Sequence, residues 1–302
     1  DFVLAGDVFE LNRSYIWYED GIKPYVNVRV VTPGSEYEKK ILYLLNLIGQ
    51  EERVAETLEM FRKMQMFFPM PLRLHYLLGN HDRLVNSTPL IRRKARELLG
   101  MPLSDELFPH TFTYYSEGKP LAFIRHGQEY DPMNFSANYK SAPLIPAEIP
   151  LKEYDAPPVD DFSAIEIIYK LPYLFVAHYG VKPILEDKKL FNLYQRLVEF
   201  QDVRPQSALI NYIFNSPGFT RRQIWQYLEP IILHGLNTLR KDPFLKSPAM
   251  KGSLMKTFLR LNPWRKNIPF RLVQRFSSSV TKRIGRNEKN LPAVKEEVIR
   301  QN

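Results

Sequence analysis

The sequence has 302 residues, of which 44% are hydrophobic and 13% aromatic, so it can form one large domain or two ordinary ones. The absence of cysteine excludes disulfides, thiolate zinc sites and a cysteine nucleophile. Charge or proline interrupts every apolar run well before the roughly 18–20 residues that a bilayer span needs. We therefore expect a cytoplasmic protein that contacts membranes at most peripherally.

The net charge of +9 is concentrated in the last part of the chain. Residues 221–302 contain 18 Lys and Arg and 5 Asp and Glu, a balance of +13, while residues 1–220 balance to −4. Within this part, residues 253–286 interleave apolar residues with Lys and Arg, which is typical of a surface that lies on an anionic membrane. Nucleic acid is a weaker alternative, and a solvated helical cap or linker is the third interpretation.

The first elements of the chain predict a strand, a helical region and a second strand. Residues 2–5 form a short apolar strand, and residues 72–78 form another. Between them, residues 35–68 carry apolar side chains at helical spacing, which predicts one long or two consecutive amphipathic helices. Ser35 with Glu38 three residues later predicts a capping box, and the pattern is interrupted at Gly49.

A strand, a helix and a second strand in this order form a right-handed crossover, in which the two strands are parallel. This arrangement places Asp7 and Asn80, which follow the two strands, at one edge of the same sheet. Open α/β sheets bind ligands beyond the carboxyl ends of their strands. The sequence therefore predicts a ligand site at this edge.

The rest of the chain divides into two parts. Residues 89–101 predict a short helix closed by Gly100, and residues 110–115 and 120–126 predict two more strands. Beyond about residue 136 prolines cluster and mainly helical patterns follow. We therefore predict an α/β core over residues 1–135 and a helical insert or cap with a basic tail over residues 136–302.

Three polar motifs follow predicted strands, and each contains a glycine that lets the backbone turn sharply. They are Gly6-Asp7 with Glu10 three residues later, Gly79-Asn80-His81-Asp82, and His126-Gly127. Carboxylate, amide oxygen and imidazole are the donors that hard and borderline divalent ions take. Two such ions can share one bridging carboxylate. The other histidines match no ligand spacing, and His110, beside Pro109, is expected to be a turn or surface residue.

These motifs, in this order, resemble the calcineurin-like metallophosphoesterases. The stretches "GDVFE" at residues 6–10, "GNHD" at 79–82 and "RHGQEYDP" at 125–132 match three of the five blocks of that family. The stretch at 199–214 is loosely similar to the helical insert of the bacterial UDP-2,3-diacylglucosamine pyrophosphatases. The resemblance implies a layered α/β sandwich and two divalent metal ions (Mn, Fe, Zn, Ni or Mg).

The resemblance also implies a role for each matching residue. Asp7 would bridge the two metal ions, and Asn80 and His126 would ligate the second ion. His81 would contact the substrate phosphate and protonate the leaving group, and Asp82 would orient His81. The implied activity is hydrolysis of a phosphomonoester, phosphodiester or pyrophosphate by a metal-activated water.

Behind these residues, Glu10 and Asp131 are candidates to hold a ligating histidine in place. The Asp-x-His and Gly-His-x-His blocks of the family do not occur in this sequence. We therefore expect an internal fragment of a longer enzyme that lacks both ends of the sandwich and is inactive alone. The competing hypothesis is a catalytically degenerate scaffold that binds membrane or nucleic acid through its basic tail.

Overall fold

A computed structural model of the chain describes residues 1–131, 133–137, 145–203, 208–239 and 241–247. The fold is mixed α/β, as predicted, and the described residues form two compact units. The described residues within 1–170 and 242–247 form the first unit, and those within 171–239, together with residue 241, form the second. This division lies well after the change in composition near residue 136, and the assignment of residues 136–302 to an insert stays a prediction.

The first unit is built on a parallel pair of strands, β1 (Phe2–Ala5) and β2 (Leu74–Leu77). Phe2 pairs with Leu74 and Ala5 pairs with Leu77, so both strands end at the same edge. Their connection contains helices α1 (Glu36–Gln50) and α2 (Glu52–Lys63) and a short 3₁₀ turn, Met64–Phe67. The predicted parallel crossover with two consecutive helices is confirmed.

Two details of this helical region differ from the prediction. Ser35 caps α1 by accepting from the N–H of Glu38, but the Glu38 carboxylate accepts from the N–H of Gly34 instead of Ser35. The break between the helices falls at Glu51, whose side chain caps α2, and Gly49 stays helical. A Cβ on Gly49 would lie 2.6 Å from Leu98 Cδ2, so this glycine permits close helix packing.

Helix α3 (Pro89–Leu99) and an antiparallel hairpin follow the second strand. Thr88 caps the start of α3, and Gly100 ends it in the left-handed conformation at φ +68°, as predicted. The hairpin consists of β3 (Thr111–Ser116) and β4 (Lys119–Arg125). The two predicted strands are confirmed, and among the described residues β1–β2 and β3–β4 form separate sheets.

Helices α1, α2 and α3 bury their apolar faces in one hydrophobic core with the strands. Its members include Phe9, Leu11, Trp17, Ile41, Leu45, Tyr76, Leu78, Leu84, Ile91, Leu98 and Phe108. The core holds α1 against both α2 and α3. It therefore fixes the ends of β1 and β2, where the polar motifs begin.

The remaining elements are mainly helical. In the first unit they include α4 (Leu151–Tyr154), α5 (Val159–Ser163), a π-helix (Ala164–Tyr169) and a 3₁₀ turn (Pro243–Lys246). They continue with α6 (Lys170–Tyr179), α7 (Val181–Glu186), α8 (Lys188–Glu199), α9 (Leu209–Phe214) and α10 (Arg221–Leu239). None of the helices in the described parts of the chain is long and apolar enough to cross a membrane.

His110 lies at a bend directly before β3, as one predicted alternative had it, but it is buried, so the alternative of a surface position is wrong. Its ring stacks on Tyr154 at a centroid distance of 3.8 Å, and its Nδ1 lies 3.4 Å from the Leu78 carbonyl oxygen. The N–H of Leu78 donates to the Pro109 carbonyl. This hydrogen bond draws the segment alongside the end of β2. Burial lowers the pKa of His110 to about 4.

This burial predicts a dependence of stability on pH. The unfolded chain binds a proton at His110 below about pH 6.5 and the folded protein does not until about pH 4. As the pH falls from about 6.5 to about 4, the free energy of unfolding should therefore decrease by about 3 kcal/mol. His110→Phe keeps the ring and removes this component. Urea unfolding of both proteins at several pH values tests this, and parallel profiles would contradict it.

Candidate functional site

Asp7 lies directly beyond β1 in a strained backbone conformation. Gly6 has φ +90° and Asp7 has φ +53°, the left-handed region that few residues other than glycine adopt. A Cβ on Gly79 would lie 2.1 Å from Asp7 Oδ1, and a Cβ on Gly6 would lie 2.3 Å from His126 Nδ1. Both glycines therefore permit the close approach of polar side chains at the carboxyl ends of the strands.

The Asp7 carboxylate contacts two other predicted site residues. Its Oδ1 accepts from the backbone N–H of His81 at 3.0 Å, and its Oδ2 lies 3.1 Å from His126 Nε2. Burial alone would raise the pKa of Asp7. The hydrogen bond with His126 and the charges of His81 and His126 outweigh burial and lower this pKa below its usual value.

His126 is held in the orientation of a metal-ligating histidine. Its Nδ1 lies 2.6 Å from the Ala5 carbonyl oxygen, which can only accept, so Nδ1 carries a proton. Nε2 therefore faces the Asp7 carboxylate, and a carbonyl behind the ring is the support that metal-bound imidazoles have. The pKa of His126 is raised, and the largest cause is the hydrogen bond with Asp7. Glu10 and Asp131 were the predicted supports for a ligating histidine, but the Ala5 carbonyl supports His126 instead.

Asn80 is buried and is oriented by a relay of polar side chains. Asn80 Nδ2 donates to Asn134 Oδ1 at 3.4 Å, and Asn134 Nδ2 donates to Asp131 Oδ2 at 2.7 Å. A carboxylate can only accept, so Asp131 fixes the orientation of the Asn134 amide. That amide in turn engages the Asn80 nitrogen and leaves the Asn80 oxygen for another contact.

His81 is paired with Glu10, which lies in the turn after β1. His81 Nδ1 lies 2.6 Å from Glu10 Oε2, and Arg13 Nε lies 3.2 Å from the same oxygen. Burial would lower the pKa of His81, but the hydrogen bond with Glu10 and the charges of Glu10 and Asp7 raise it to about 9. The imidazole is therefore a charged proton donor at neutral pH.

Asp82 was predicted to orient His81, and the structure gives that position to Glu10. Asp82 is fully buried, and its Oδ2 accepts from the Val8 N–H and the Tyr76 hydroxyl. Its Oδ1 accepts from the Gly79 N–H at 2.7 Å. These three donors at the strand ends need an acceptor, so the carboxylate faces them. Burial raises the pKa of Asp82 to about 6.

Two buried residues that support the site were not predicted. Arg83, directly after Asp82, pairs with Asp161 at 3.0 Å and donates to the backbone carbonyls of Pro24 and Val26. Arg83 and Asp161 are 4% and 2% exposed. Their pairing spans 78 positions of sequence, and no local pattern signals it.

The structure brings Asp7, His81 and His126 together and places Asn80 at the same strand end. Around an octahedral ion with donors at about 2.0–2.1 Å, two adjacent donors are about 3 Å apart. The 3.1 Å between Asp7 Oδ2 and His126 Nε2 fits that spacing. Within the described residues, no group of three or more His, Asp or Glu side chains could hold a metal ion. A site here would therefore need further donors, such as the Asn80 amide.

Comparison of the chain with protein-family models, with curated proteins and with solved structures found no match. The resemblance to metallophosphoesterases therefore depends on the sequence motifs and stays a prediction. The predicted lipid or nucleic acid contact of residues 253–286 lies outside the described residues and stays a prediction.

The Asp82 contacts predict a structural role for this carboxylate. Asp82→Ala leaves three buried donors without an acceptor, which should lower the free energy of unfolding by about 3–5 kcal/mol. The matched control Asp20→Ala removes a half-exposed carboxylate paired with Lys40 and should cost at most about 1 kcal/mol. Urea unfolding measures both, and equal small losses would contradict the structural role.

The His81–Glu10 pair predicts an unusual titration. In the metal-free protein, His81 should titrate at a pKa of about 9. Glu10→Gln should lower this pKa because it removes the negative charge that opposes the effect of burial. NMR of the imidazole protons measures the shift, with Glu36→Gln, an exposed carboxylate, as the control. Titration of His81 near its ordinary value of 6.5 in the unmodified protein would contradict the pairing.

Proposed function

We propose that the protein is a metal-dependent phosphoesterase, or a part of one, with the layered α/β sandwich of the metallophosphoesterases. The observation that carries the proposal is the placement of Asp7 and His126. The Asp7 carboxylate, beyond β1, lies 3.1 Å from the His126 imidazole, beyond β4, and the Ala5 carbonyl holds that imidazole with Nε2 toward Asp7. A turn with only a structural role would not require two glycines whose lack of a Cβ makes room for these side chains.

The residues that would hold a divalent ion are Asp7, His126 and Asn80, through a carboxylate oxygen, Nε2 and the amide oxygen. A bound ion would supply an activated water and stabilise negative charge on the phosphate. The described residues provide donors for one ion, and the second ion of the expected pair stays a prediction. Ligation by His126 requires neutral Nε2, so binding releases the proton that this nitrogen shares with Asp7.

His81 would act on the substrate as a proton donor. Its Nδ1 is held by Glu10, so Nε2 is the atom available to contact a phosphoryl oxygen or protonate a leaving alkoxide. Glu10 keeps the imidazole charged and fixes its plane, as general acid catalysis requires. Asp82 contributes by position, because it fixes the backbone of the turn that carries His81.

Metal affinity tests the division of roles directly. Asp7→Asn and His126→Gln remove a ligand, so each should weaken Mn²⁺ binding at least about tenfold. His81→Gln should leave Mn²⁺ affinity close to that of the unmodified protein. Calorimetric titration measures the affinities, with Asp20→Asn and His234→Gln as controls at exposed positions. Equal losses in the Asp7, His126 and His81 variants would show that His81 is itself a ligand.

Turnover gives the complementary test. We expect these 302 residues alone to bind Mn²⁺ weakly and not to hydrolyse bis(p-nitrophenyl) phosphate. In an active longer enzyme, His81→Gln should lower turnover by roughly 10²- to 10⁴-fold while metal content is retained. Manganese-dependent hydrolysis by the 302-residue chain that is lost in Asp7→Asn would contradict the expected inactivity and support the assigned site.

A further inference from the structure

An exposed apolar loop connects α2 to β2. We define the apolar loop as residues 64–71, with the sequence Met-Gln-Met-Phe-Phe-Pro-Met-Pro. Met66, Phe67 and Met70 are 80%, 70% and 74% exposed, and Phe68 is also exposed. Met60, in the last turns of α2, adds a further exposed side chain. Contiguous exposed apolar surface of this kind marks an interaction site.

The apolar loop is anchored to the first unit at its start. Met64 is buried, and the Phe61 ring in α2 packs 6.4 Å from the Phe2 ring of β1. Pro69 and Pro71 restrict the backbone at its end, because proline fixes φ. The exposed side chains are therefore presented from a restrained segment, which reduces the conformational entropy lost on binding.

Positive charges outnumber negative charges around the apolar loop. Residues 60–73 include Arg62, Lys63 and Arg73 and contain no Asp or Glu. Arg62 and Lys63 share the partner Glu59, one turn earlier in α2, so two cations face one carboxylate. Arg73 is exposed at the start of β2. The apolar loop therefore has a cation on each side, and on the α2 side the two cations outnumber their carboxylate partner.

We propose that the apolar loop inserts into the interface of an anionic lipid membrane. Phe and Met side chains would enter the boundary between headgroups and acyl chains, and the flanking cations would contact anionic headgroups. A second copy of the chain is a poorer partner, because a symmetric contact would bring Arg62, Lys63 and Arg73 against their own equivalents. This surface is separate from residues 253–286, and the proposal does not depend on phosphoesterase activity.

The position of the apolar loop leaves the candidate site accessible. The loop enters β2 at its amino end, and Asn80 follows its carboxyl end. A four-residue strand spans roughly 13 Å, so the two features lie at opposite edges of the β1–β2 pair. Membrane contact through the loop would therefore anchor the first unit without covering Asp7 or His126.

Vesicle binding by the full chain tests the proposal. The probe is cosedimentation with vesicles of equal parts phosphatidylcholine and phosphatidylglycerol, compared with phosphatidylcholine alone. The triple variant Met66→Ser/Phe67→Ser/Phe68→Ser should partition at least about tenfold less onto the anionic vesicles. The control triple variant Leu103→Ser/Leu121→Ser/Phe123→Ser removes exposed apolar side chains elsewhere and should bind like the unmodified chain.

A charge variant tests the second half of the proposal. Arg62→Gln/Lys63→Gln/Arg73→Gln should lower binding to anionic vesicles by about fivefold for each cation removed and should not change binding to phosphatidylcholine. All variants keep residues 253–302, so any contribution of that segment is common to them. Circular dichroism confirms that each variant is folded.

Three results would overturn the proposal. The first is no binding of the unmodified chain to anionic vesicles, and the second is equal binding by the loop variant and its control. The third is a dimer of the unmodified chain that light scattering shows to be monomeric in the loop variant. That result would assign the apolar loop to a contact between two copies.

Discussion

The buried carboxylate of Asp82 is the interaction on which the candidate site depends. It accepts hydrogen bonds from the backbone N–H groups of Val8, three residues after β1, and Gly79, two residues after β2, and from the Tyr76 hydroxyl. Backbone N–H groups at buried strand ends must be paired, and here one side chain pairs both. The same contacts hold the turns that carry Asp7 and His81 against each other, so a structural acceptor positions the polar residues around it.

Around this acceptor, positive and negative groups are closely balanced. Asp7 uses one oxygen for the His81 backbone and turns the other toward His126, while the His81 side chain pairs with Glu10. A cation at Asp7 and His126 would replace the proton between them and would therefore bind more weakly as pH falls. The raised pKa of His126 strengthens this competition. His81 keeps its own carboxylate partner, so its proton would remain when a cation binds.

Local patterns predicted the elements that determine the site, and long-range contacts were not predictable. Apolar spacing gave the parallel strands and three helices, and the Gly-Asp and Gly-Asn-His-Asp turns gave Asp7, Asn80 and His81. Asp82 was predicted as the partner of His81, and the partner is Glu10. The error arose because the direction of a side chain after a sharp turn depends on which buried donors need an acceptor. The burial of His110 was missed because a hydrogen bond between Leu78 and Pro109, distant in sequence, draws it inward.

The central claim is that Asp7 and His126 are ligands of one divalent ion, and its most direct test is anomalous diffraction from crystals grown with Mn²⁺. The account predicts a manganese peak about 2.0–2.2 Å from both Asp7 Oδ2 and His126 Nε2. His126 Nδ1 should still donate to the Ala5 carbonyl. No peak at saturating Mn²⁺, with Asp7 still hydrogen-bonded to His126, would show that the pair is a structural contact and would contradict the account.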